Sequence, residues 1–393
     1  MRPVLMFKRI VALALLVALL SGCSTVRGWF GGNKDDDKPT EPAELVDFAA
    51  SANVAELWSA NVGKGEERLG LRQRPAVADG RVYVAAVEGG VRALDLQSGA
   101  LVWRHESKAR LSGGPGAGDG LVVVGTLDGE VIALDAATGA QKWQAKVSNE
   151  VIAAPAIGQG VVLVRSNDGR VSAFDAASGE RRWFYANDLP SLTVRGNAPV
   201  TLGPGIAFVG NDDGTLTAMS LSDGRQLWNR VVGVPDGRTE LERMADVDGA
   251  PVLDGTTLFA SSFKNESVAI DGPSGRPLWN RDHGGAGGVG VASGSVLVSD
   301  GSGTVWALDK ASGVPNWSNP TLARRSLTAP AVHGDYAVVG DFDGYLHWLR
   351  LDNGQIAARK RGGRSALRAQ PLVADGILLA QSVDGRLTAY RLQ

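Results

Sequence analysis

Side chains that could do acid–base, nucleophilic or metal chemistry are few in this sequence and are not grouped. The chain has 393 residues, with one cysteine and four histidines. The histidines lack the paired spacing of metal ligands, so we expect surface positions for them: His105, His283, His333 and His347. Asp341-Phe342-Asp343-Gly344 has the acidic spacing of a calcium loop, but position 12 of such a loop would be Asp352 rather than glutamate. No Gly-x-Ser-x-Gly nucleophile motif occurs. We therefore predict no catalytic residue, no metal ligand and no cofactor.

The single cysteine follows a short apolar segment near the N-terminus. Three cationic residues precede an apolar run over 10–20, which is shorter than the roughly 20 residues needed to cross a bilayer. The pattern is typical of a secretory signal peptide. The run ends in Leu20-Ser21-Gly22-Cys23, which resembles a bacterial lipobox. That resemblance implies that Cys23 is lipidated after cleavage. The serine at position 24 favours the outer membrane. The alternative is an ordinary secretory signal with a buried free cysteine.

Composition divides the chain into three parts. Residues 1–22 are the predicted signal peptide, and 56–393 are the folded domain. Between them, residues 23–55 contain Gly31-Gly32-Asn33 and an acidic run before Pro39, with few bulky apolar groups. Such a segment cannot bury enough surface to offset its ordering entropy. We predict a lipidated cysteine and a flexible tether over 23–55.

The overall charge is nearly balanced, with 40 Lys and Arg against 42 Asp and Glu. A protein that binds nucleic acid or an anionic membrane surface through bulk charge would carry a basic excess. We therefore predict no nucleic-acid partner, and contact with the membrane through the lipid anchor only.

The folded part repeats one motif. The segment LDLQSGALVW at 94–103 returns at 134–143, 174–183, 219–228, 270–279 and 308–317, and in a degraded form without tryptophan at 349–358. The successive glycines of this motif are 38 to 51 residues apart. A period near 40 with four short strands per unit indicates a β-propeller blade.

Each unit begins with a proline and a short strand, continues in an apolar run, turns at Asp-Gly, and ends in an outer strand. Asp-Gly between strand-like runs is a strong hairpin signal. The last unit stops at Gln393 after three strands, and Glu56-Leu57-Trp58-Ser59 is an unpaired outer strand at the start. We predict an all-β, eight-bladed propeller of four-stranded antiparallel blades, closed by the N-terminal strand joining the last blade.

Seven of the ten tryptophans occupy the same position of the repeat. A ligand platform would not need the same residue in every blade, so we predict a structural docking role for them: Trp58, Trp103, Trp143, Trp183, Trp228, Trp279 and Trp317.

The pattern Ala-x-Asp-x-x-(Ser/Thr)-Gly-x-x-x-Trp resembles the tryptophan-docking motif of quinoprotein-like propellers. Lipobox, tether and eight such blades in this order resemble the BamB family of outer membrane protein assembly factors. The resemblance covers the whole chain. It implies a non-enzymatic scaffold of the β-barrel assembly machinery at the outer membrane, facing the periplasm. Such a scaffold binds the POTRA domains of BamA alongside other members of the complex, and aids delivery of unfolded outer membrane proteins.

Two inter-blade connections are longer than the rest. Eleven residues usually separate the tryptophan from the next proline, but 15 follow Trp183 and 22 follow Trp228. Consecutive connections lie side by side on one face of a propeller, and long loops on a rigid scaffold often carry function. The family resemblance places BamA contacts in these two segments, at Leu192, Val194, Arg195, Asp246 and Asp248. An alternative is that Arg195 only bridges to one of the two aspartates.

Three other functions stay open. The same fold hosts pyrroloquinoline quinone with Ca²⁺ in quinoprotein dehydrogenases. Those enzymes typically stack the cofactor against a disulfide between adjacent cysteines, which a chain with a single cysteine cannot form. A propeller can also bind peptidoglycan or another envelope ligand in its central channel. Exposed blade edges can add a strand from an unfolded client.

Overall fold

The structure is a computed structural model that describes residues 41–193 and 198–393. Cys23, Val194 and Arg195 lie outside these residues. The described chain forms 32 strands in eight four-stranded antiparallel sheets, with one short helix, α1 (Glu240–Arg243). None of its helices has the length and apolar character needed to cross a bilayer. The predicted all-β class and the eight blades are confirmed.

The strands follow the chain order blade by blade. Blade 1 is β2 (Ala76–Ala78), β3 (Arg81–Ala86), β4 (Gly90–Asp95) and β5 (Leu101–His105); blade 2 is β6 (Leu111–Gly118), β7 (Leu121–Thr126), β8 (Glu130–Asp135) and β9 (Gln141–Lys146). Blade 3 is β10 (Ala156–Gly158), β11 (Val161–Arg165), β12 (Arg170–Asp175) and β13 (Arg181–Ala186); blade 4 is β14 (Thr201–Gly203), β15 (Ile206–Gly210), β16 (Thr215–Ser220) and β17 (Gln226–Val231). Blade 5 is β18 (Val252–Asp254), β19 (Thr257–Ser261), β20 (Ser267–Asp271) and β21 (Pro277–Arg281); blade 6 is β22 (Val289–Val291), β23 (Ser295–Ser299), β24 (Val305–Asp309) and β25 (Pro315–Asn319). Blade 7 is β26 (Ala331–His333), β27 (Tyr336–Gly340), β28 (Tyr345–Arg350) and β29 (Ile356–Arg361); blade 8 is β30 (Leu372–Ala374), β31 (Ile377–Gln381), β32 (Arg386–Leu392) and β1 (Val54–Asn61).

The ring closes through the N-terminal strand, as predicted. β1 pairs with β32 over its whole length, from Val54 opposite Leu392 to Asn61 opposite Arg386. The backbone N–H of Gln393 also donates to the carbonyl of Asn53 at 3.0 Å. This pairing gives blade 8 its outer strand and leaves no half-built blade whose edge would be open to other chains.

The core consists of apolar layers between neighbouring blades rather than one central cluster. The second strand of each blade is buried on both faces; all six residues of β7 are buried, for example. Val82 and Val84 of blade 1 pack with Leu379 and Leu387 of blade 8, so the last and first blades share a layer as the others do. Burial of these faces is the main favourable term for the fold.

Each docking tryptophan is held from three sides. Trp143 stands opposite Ala133 on the neighbouring strand, and the register shifts by one residue just beyond that pair. Its indole Nε1 donates to the Ala176 carbonyl of the next blade at 2.9 Å. Its ring lies against Gly179, where an added Cβ would come within 2.6 Å of the indole. The other six tryptophans at this repeat position donate to the corresponding carbonyl of the next blade at 2.8 to 3.0 Å.

Blade 7 lacks the outer-strand tryptophan, and the alanine and tryptophan that face each other in the other blades have swapped strands. Ala358 stands on the outer strand, opposite Trp348 on the third strand. Trp348 is fully buried and packs edge-on against Tyr390 of blade 8. Blade 8 has no turn between its third and outer strands, because the chain termini meet there. The docking tryptophan is therefore missing from blade 7, whose neighbour, blade 8, has no such turn for it to pack against.

Two histidines were expected at the surface, and this expectation is wrong. His333 and His347 are 1% and 0% exposed. His333 bridges the Gly376 carbonyl and the indole N–H of Trp348, while His347 lies 3.0 Å from the Asp341 carboxylate. Burial lowers the pKa of both imidazoles. His333 ends β26 and His347 lies in β28, and the faces of these inner strands are covered by neighbouring blades.

The last part of the predicted tether lies against blade 7. In the segment 42–53, hereafter the strap, the carbonyls of Ala43 and Val46 accept hydrogen bonds from Arg325 and Arg359. The Arg359 guanidinium stacks over the Phe48 ring at 5.0 Å. Composition did not reveal this contact because its strongest partners are two arginines almost 300 residues away. The predicted tether extends to residue 55, whereas the described contacts with the propeller begin at Ala43.

All inter-blade connections and all turns between second and third strands lie on one face, hereafter the connector face. Hydrogen bonds tie them together: Val247 donates to the Asn211 carbonyl, Phe263 to that of Asp246, and Phe342 to that of Arg325. Because four antiparallel strands return the chain to the same side, every connector must lie here. The long connectors are thus side by side, as predicted.

The tryptophan contact predicts a difference between two glycines with similar backbone angles. Gly139 and Gly80 have φ of 75° and 70°, but an added Cβ would meet the Trp103 ring at 2.5 Å from Gly139 and nothing within 4 Å from Gly80. Gly80→Ala should cost about 1 kcal/mol from the left-handed backbone alone. Gly139→Ala should cost about 1–3 kcal/mol more, because the ring must move. Urea unfolding measures both, and equal losses would contradict the docking role.

Candidate functional site

The two long connectors join blades 3, 4 and 5. The first runs from 187 to 200 and the second from 232 to 251; α1 lies in the second. Thr239 caps this helix: its hydroxyl accepts from the Glu242 N–H, and the Glu242 carboxylate accepts from the Thr239 N–H. A reciprocal capping box of this kind gives a short exposed turn a defined shape.

Side-chain contacts hold the connectors in place. Ser191 of the first donates to the Glu240 carboxylate of the second at 2.7 Å. Lys264, from the β19–β20 turn, donates to the carbonyls of Asp236 and Glu242 and lies 3.0 Å from the Asp236 carboxylate. The pKa of Asp236 is lowered, chiefly by this hydrogen bond from Lys264. These contacts hold the two connectors in a defined conformation without a bound partner.

Large apolar side chains are exposed around these contacts. We call the following set the apolar patch: Leu189, Leu192, Val231, Val234, Leu241 and Phe263. Leu241 is 66% exposed and Leu192 is 42% exposed. Several large apolar groups exposed together on one face, with charged groups between them, are typical of a protein-binding surface.

The predicted aspartates have a different environment from the one expected. As BamA contacts they would be surface groups, whereas Asp246 and Asp248 are 0% and 3% exposed. The reason is backbone pairing: this stretch is hydrogen-bonded between the turns of blades 4 and 5, with Val247 buried between the aspartates. Their contact with BamA stays a prediction.

Three carboxylates converge beneath the connector. One oxygen each from Asp212, Asp246 and Asp248 lies within 4.8 Å of the others. Arg165 donates to Asp212 at 2.6 Å, and this pair is buried. A cluster of oxygen ligands could hold a divalent cation, but here a guanidinium already supplies positive charge.

Asp248 has the most perturbed environment of the three. Neither of its oxygens accepts a hydrogen bond from the described residues. Burial raises its pKa to about 7; the charge of Asp246 adds to the rise, and Arg72 and Arg165 oppose it. At neutral pH the side chain is therefore divided between its neutral and ionised forms.

Of the five predicted partner residues, the structure describes three. Leu192 is exposed on the first connector, next to the Ser191–Glu240 contact, while Asp246 and Asp248 lie below the second. Val194 and Arg195 lie outside the described residues. Sequence analysis missed Val231 and Phe263 as exposed groups, although the β19–β20 turn carries Lys264-Asn265, directly after Phe263, where most other blades carry Asp-Gly.

Comparison with known proteins agrees with this architecture. The family model described as outer membrane protein assembly factor BamB matches residues 44–104, 87–319 and 291–393. A BamB of Xanthomonas campestris is 64% identical over 100% of this chain and 99% of its own length. A BamB of Pseudomonas aeruginosa is 40% identical over 98% of this chain and 99% of its own. The crystal structure of BamB from Moraxella catarrhalis has a TM-score of 0.79 at 28% identity, covering 86% of this chain and 100% of that one.

Fold and site together define a closed eight-bladed propeller with an exposed apolar patch around its two long inter-blade connectors. The chain belongs to the BamB family of outer membrane protein assembly factors. It is accordingly a non-catalytic scaffold of the barrel assembly machinery at the outer membrane, and not an enzyme.

Burial of Asp248 predicts a pH-dependent stability. Because its folded pKa of about 7 lies above the ordinary value of 3.8, the folded state holds the proton more tightly. Its stabilising contribution is complete below pH 3.8 and is lost as pH rises to about 7. Asp248→Asn keeps the neutral shape, so its stability relative to the parent should rise from pH 5 to pH 8.

Urea unfolding at both pH values measures this change. Asp128→Asn, which removes an exposed carboxylate from the β7–β8 turn, is the control. A parallel pH dependence in the parent and Asp248→Asn would contradict the assignment.

Proposed function

We propose that this protein binds the POTRA domains of BamA through the apolar patch and its two connectors, and so helps to deliver unfolded outer membrane proteins for insertion. The observation that carries the proposal is the position of the exposed leucines, valines and phenylalanine on a face fixed by Lys264 and the α1 capping box. A preformed apolar surface loses little entropy on binding.

Positively and negatively charged side chains lie beside the apolar patch, and this favours a protein partner that also carries charges of both signs. Glu240 and Arg243 lie 3.4 Å apart on α1, and Asp236 is exposed beside Lys264. Exposed pairs of this kind contribute little to stability. Their use is in orienting an incoming surface, while the apolar groups supply the burial.

The membrane attachment is the second part of the proposal. Lipidation of Cys23 would hold the propeller at the outer membrane on its periplasmic side. Support comes from the lipobox-like sequence that ends at this cysteine. Two or more acyl chains anchor a protein durably.

Substitution of the exposed leucines tests the surface. Leu192→Asp combined with Leu241→Asp should abolish co-purification with BamA, because each places a charge where burial is needed. The matched control is Leu101→Asp, a leucine 59% exposed on the outer strand of blade 1. Arg195→Ala is a further arm, expected to weaken the complex strongly.

Circular dichroism of each leucine variant should match the parent, since Leu101, Leu192 and Leu241 are all exposed. Retained BamA binding in both the double variant and Arg195→Ala would place the contact elsewhere. Loss of binding in Leu101→Asp alone would move it to blade 1.

Replacement of the cysteine tests the anchor. Cys23→Ser removes the thiol to which lipid is attached, so the protein should leave the membrane fraction and appear in the soluble periplasmic fraction. Fractionation followed by immunoblotting measures this. A Ser24→Ala variant is the control, and persistent membrane association of Cys23→Ser would sink the lipid-anchor proposal.

A further inference from the structure

A cavity of about 550 Å³ occupies the centre of the connector face. Connections from all eight blades contribute to its wall, including Gly114, Pro199, Ala286 and Ala329. Small-molecule sites in proteins commonly have volumes of about 300–1,000 Å³. The cavity is therefore large enough for a ligand and is separate from the exposed apolar patch.

Positive charge is concentrated on one side of this cavity. Arg72 and Arg74 come from the connection between blades 8 and 1, and Arg368 from the connection between blades 7 and 8. These two connections are neighbours in the ring. Arg72 has a left-handed backbone with φ of 53°, which a side chain tolerates only where its surroundings hold it.

Among the described residues the three guanidinium groups form no close ion pair, although Arg72 acts to lower the pKa of Asp248, an acid of the cavity wall. None of the ion pairs formed among residues 41–193 and 198–393 includes Arg72, Arg74 or Arg368. Arg74 donates to a neutral group, the Gln370 amide oxygen, at 3.4 Å. Burial lowers its pKa, which shows that its charge is poorly compensated.

Gln370 is itself held so that its oxygen faces the arginine. Its amide nitrogen donates to the carbonyls of Pro330 and Val289 at 2.8 and 3.1 Å. Arg368 acts to lower the pKa of Glu66, but burial raises that pKa overall, so Glu66 is a weak counter-ion. The cavity wall itself carries two acids, Asp248 and Asp300, against the three arginines, which leaves an excess of positive charge.

We propose that this cavity binds a small anionic ligand, with a phosphate or carboxylate group held by Arg72, Arg74 and Arg368. Guanidinium groups match both anions through paired N–H donors. The ligand would balance the excess of positive charge that three arginines leave beside two wall acids, Asp248 and Asp300. None of the six residues of the apolar patch lines the cavity, although Pro199 and Asp248 of the two connectors do.

Thermal unfolding of the full-length, detergent-solubilised protein tests the site, with inorganic phosphate and succinate as probes at constant ionic strength. At least one probe should raise Tm in a saturable manner, as binding to the folded state alone requires. The probe that saturates at lower concentration identifies the phosphate or carboxylate class.

Charge-removing variants locate the effect. Arg74→Gln and Arg368→Gln should each weaken the probe's apparent affinity about tenfold, the typical loss for one charged hydrogen bond. Arg276→Gln removes the same charge from an exposed turn and should leave the affinity unchanged. Because Arg368 is exposed, its variant keeps the test valid if Arg74→Gln folds poorly.

The expected Tm of Arg74→Gln without probe is equal to or above that of the parent, because a poorly compensated charge is removed. A purely structural arginine would instead lower it. Absence of a saturable shift with both probes, or an unchanged affinity in both cavity variants, would overturn the proposal. So would an equal loss in Arg276→Gln.

Discussion

The pairing of β1 with β32 is the constraint on which the rest of the structure depends. Every blade packs its apolar face on the next, so an open array would leave two faces and two strand edges without partners. Closure joins the eight blades into a ring, in which each blade packs against a neighbouring blade on both of its faces. The exchange of Trp348 and Ala358 in blade 7 shows how the repeat adapts where the termini meet. The strap residue Ala52 also packs against this layer, so the junction is covered by chain from outside the blades.

A rigid ring separates scaffold from recognition. The strands leave only their connectors and outer edges free to vary, and connectors can lengthen without disturbing the layers between blades. In the second long connector, Ala245 and Val247 are buried against the β15–β16 turn of blade 4, while Leu241, in the preceding helix α1, is exposed. The same segment therefore has an anchored half and a presented half. Asp246 and Asp248 belong to the anchored half, where both are buried.

Periodicity explains why so much of the fold was predictable and why the site was less so. The spacing of Trp103, Trp143 and Trp183 reports a contact that recurs in every blade except blade 7, and an unpaired strand around Trp58 implies closure. Exposure of a particular side chain is not periodic. Asp246 and Leu241 lie in one polar-looking loop, and only the pairing of that loop with Asn211 and Phe263 decides which of them reaches solvent. The contacts of Arg325 and Arg359 with the strap join distant parts of the chain, so no local pattern could indicate them.

The strap also determines where the chain leaves the propeller. Ser51 and Ala52 donate to the Ala357 carbonyl near the start of β29, and Ala43 donates to Ala323 in the connection between blades 6 and 7. The chain therefore passes along the outer strand of blade 7 and leaves at the connector face. In a ring of eight, blade 7 is opposite blade 3, whose connector carries Leu192. The strap and the apolar patch therefore lie on opposite parts of the ring.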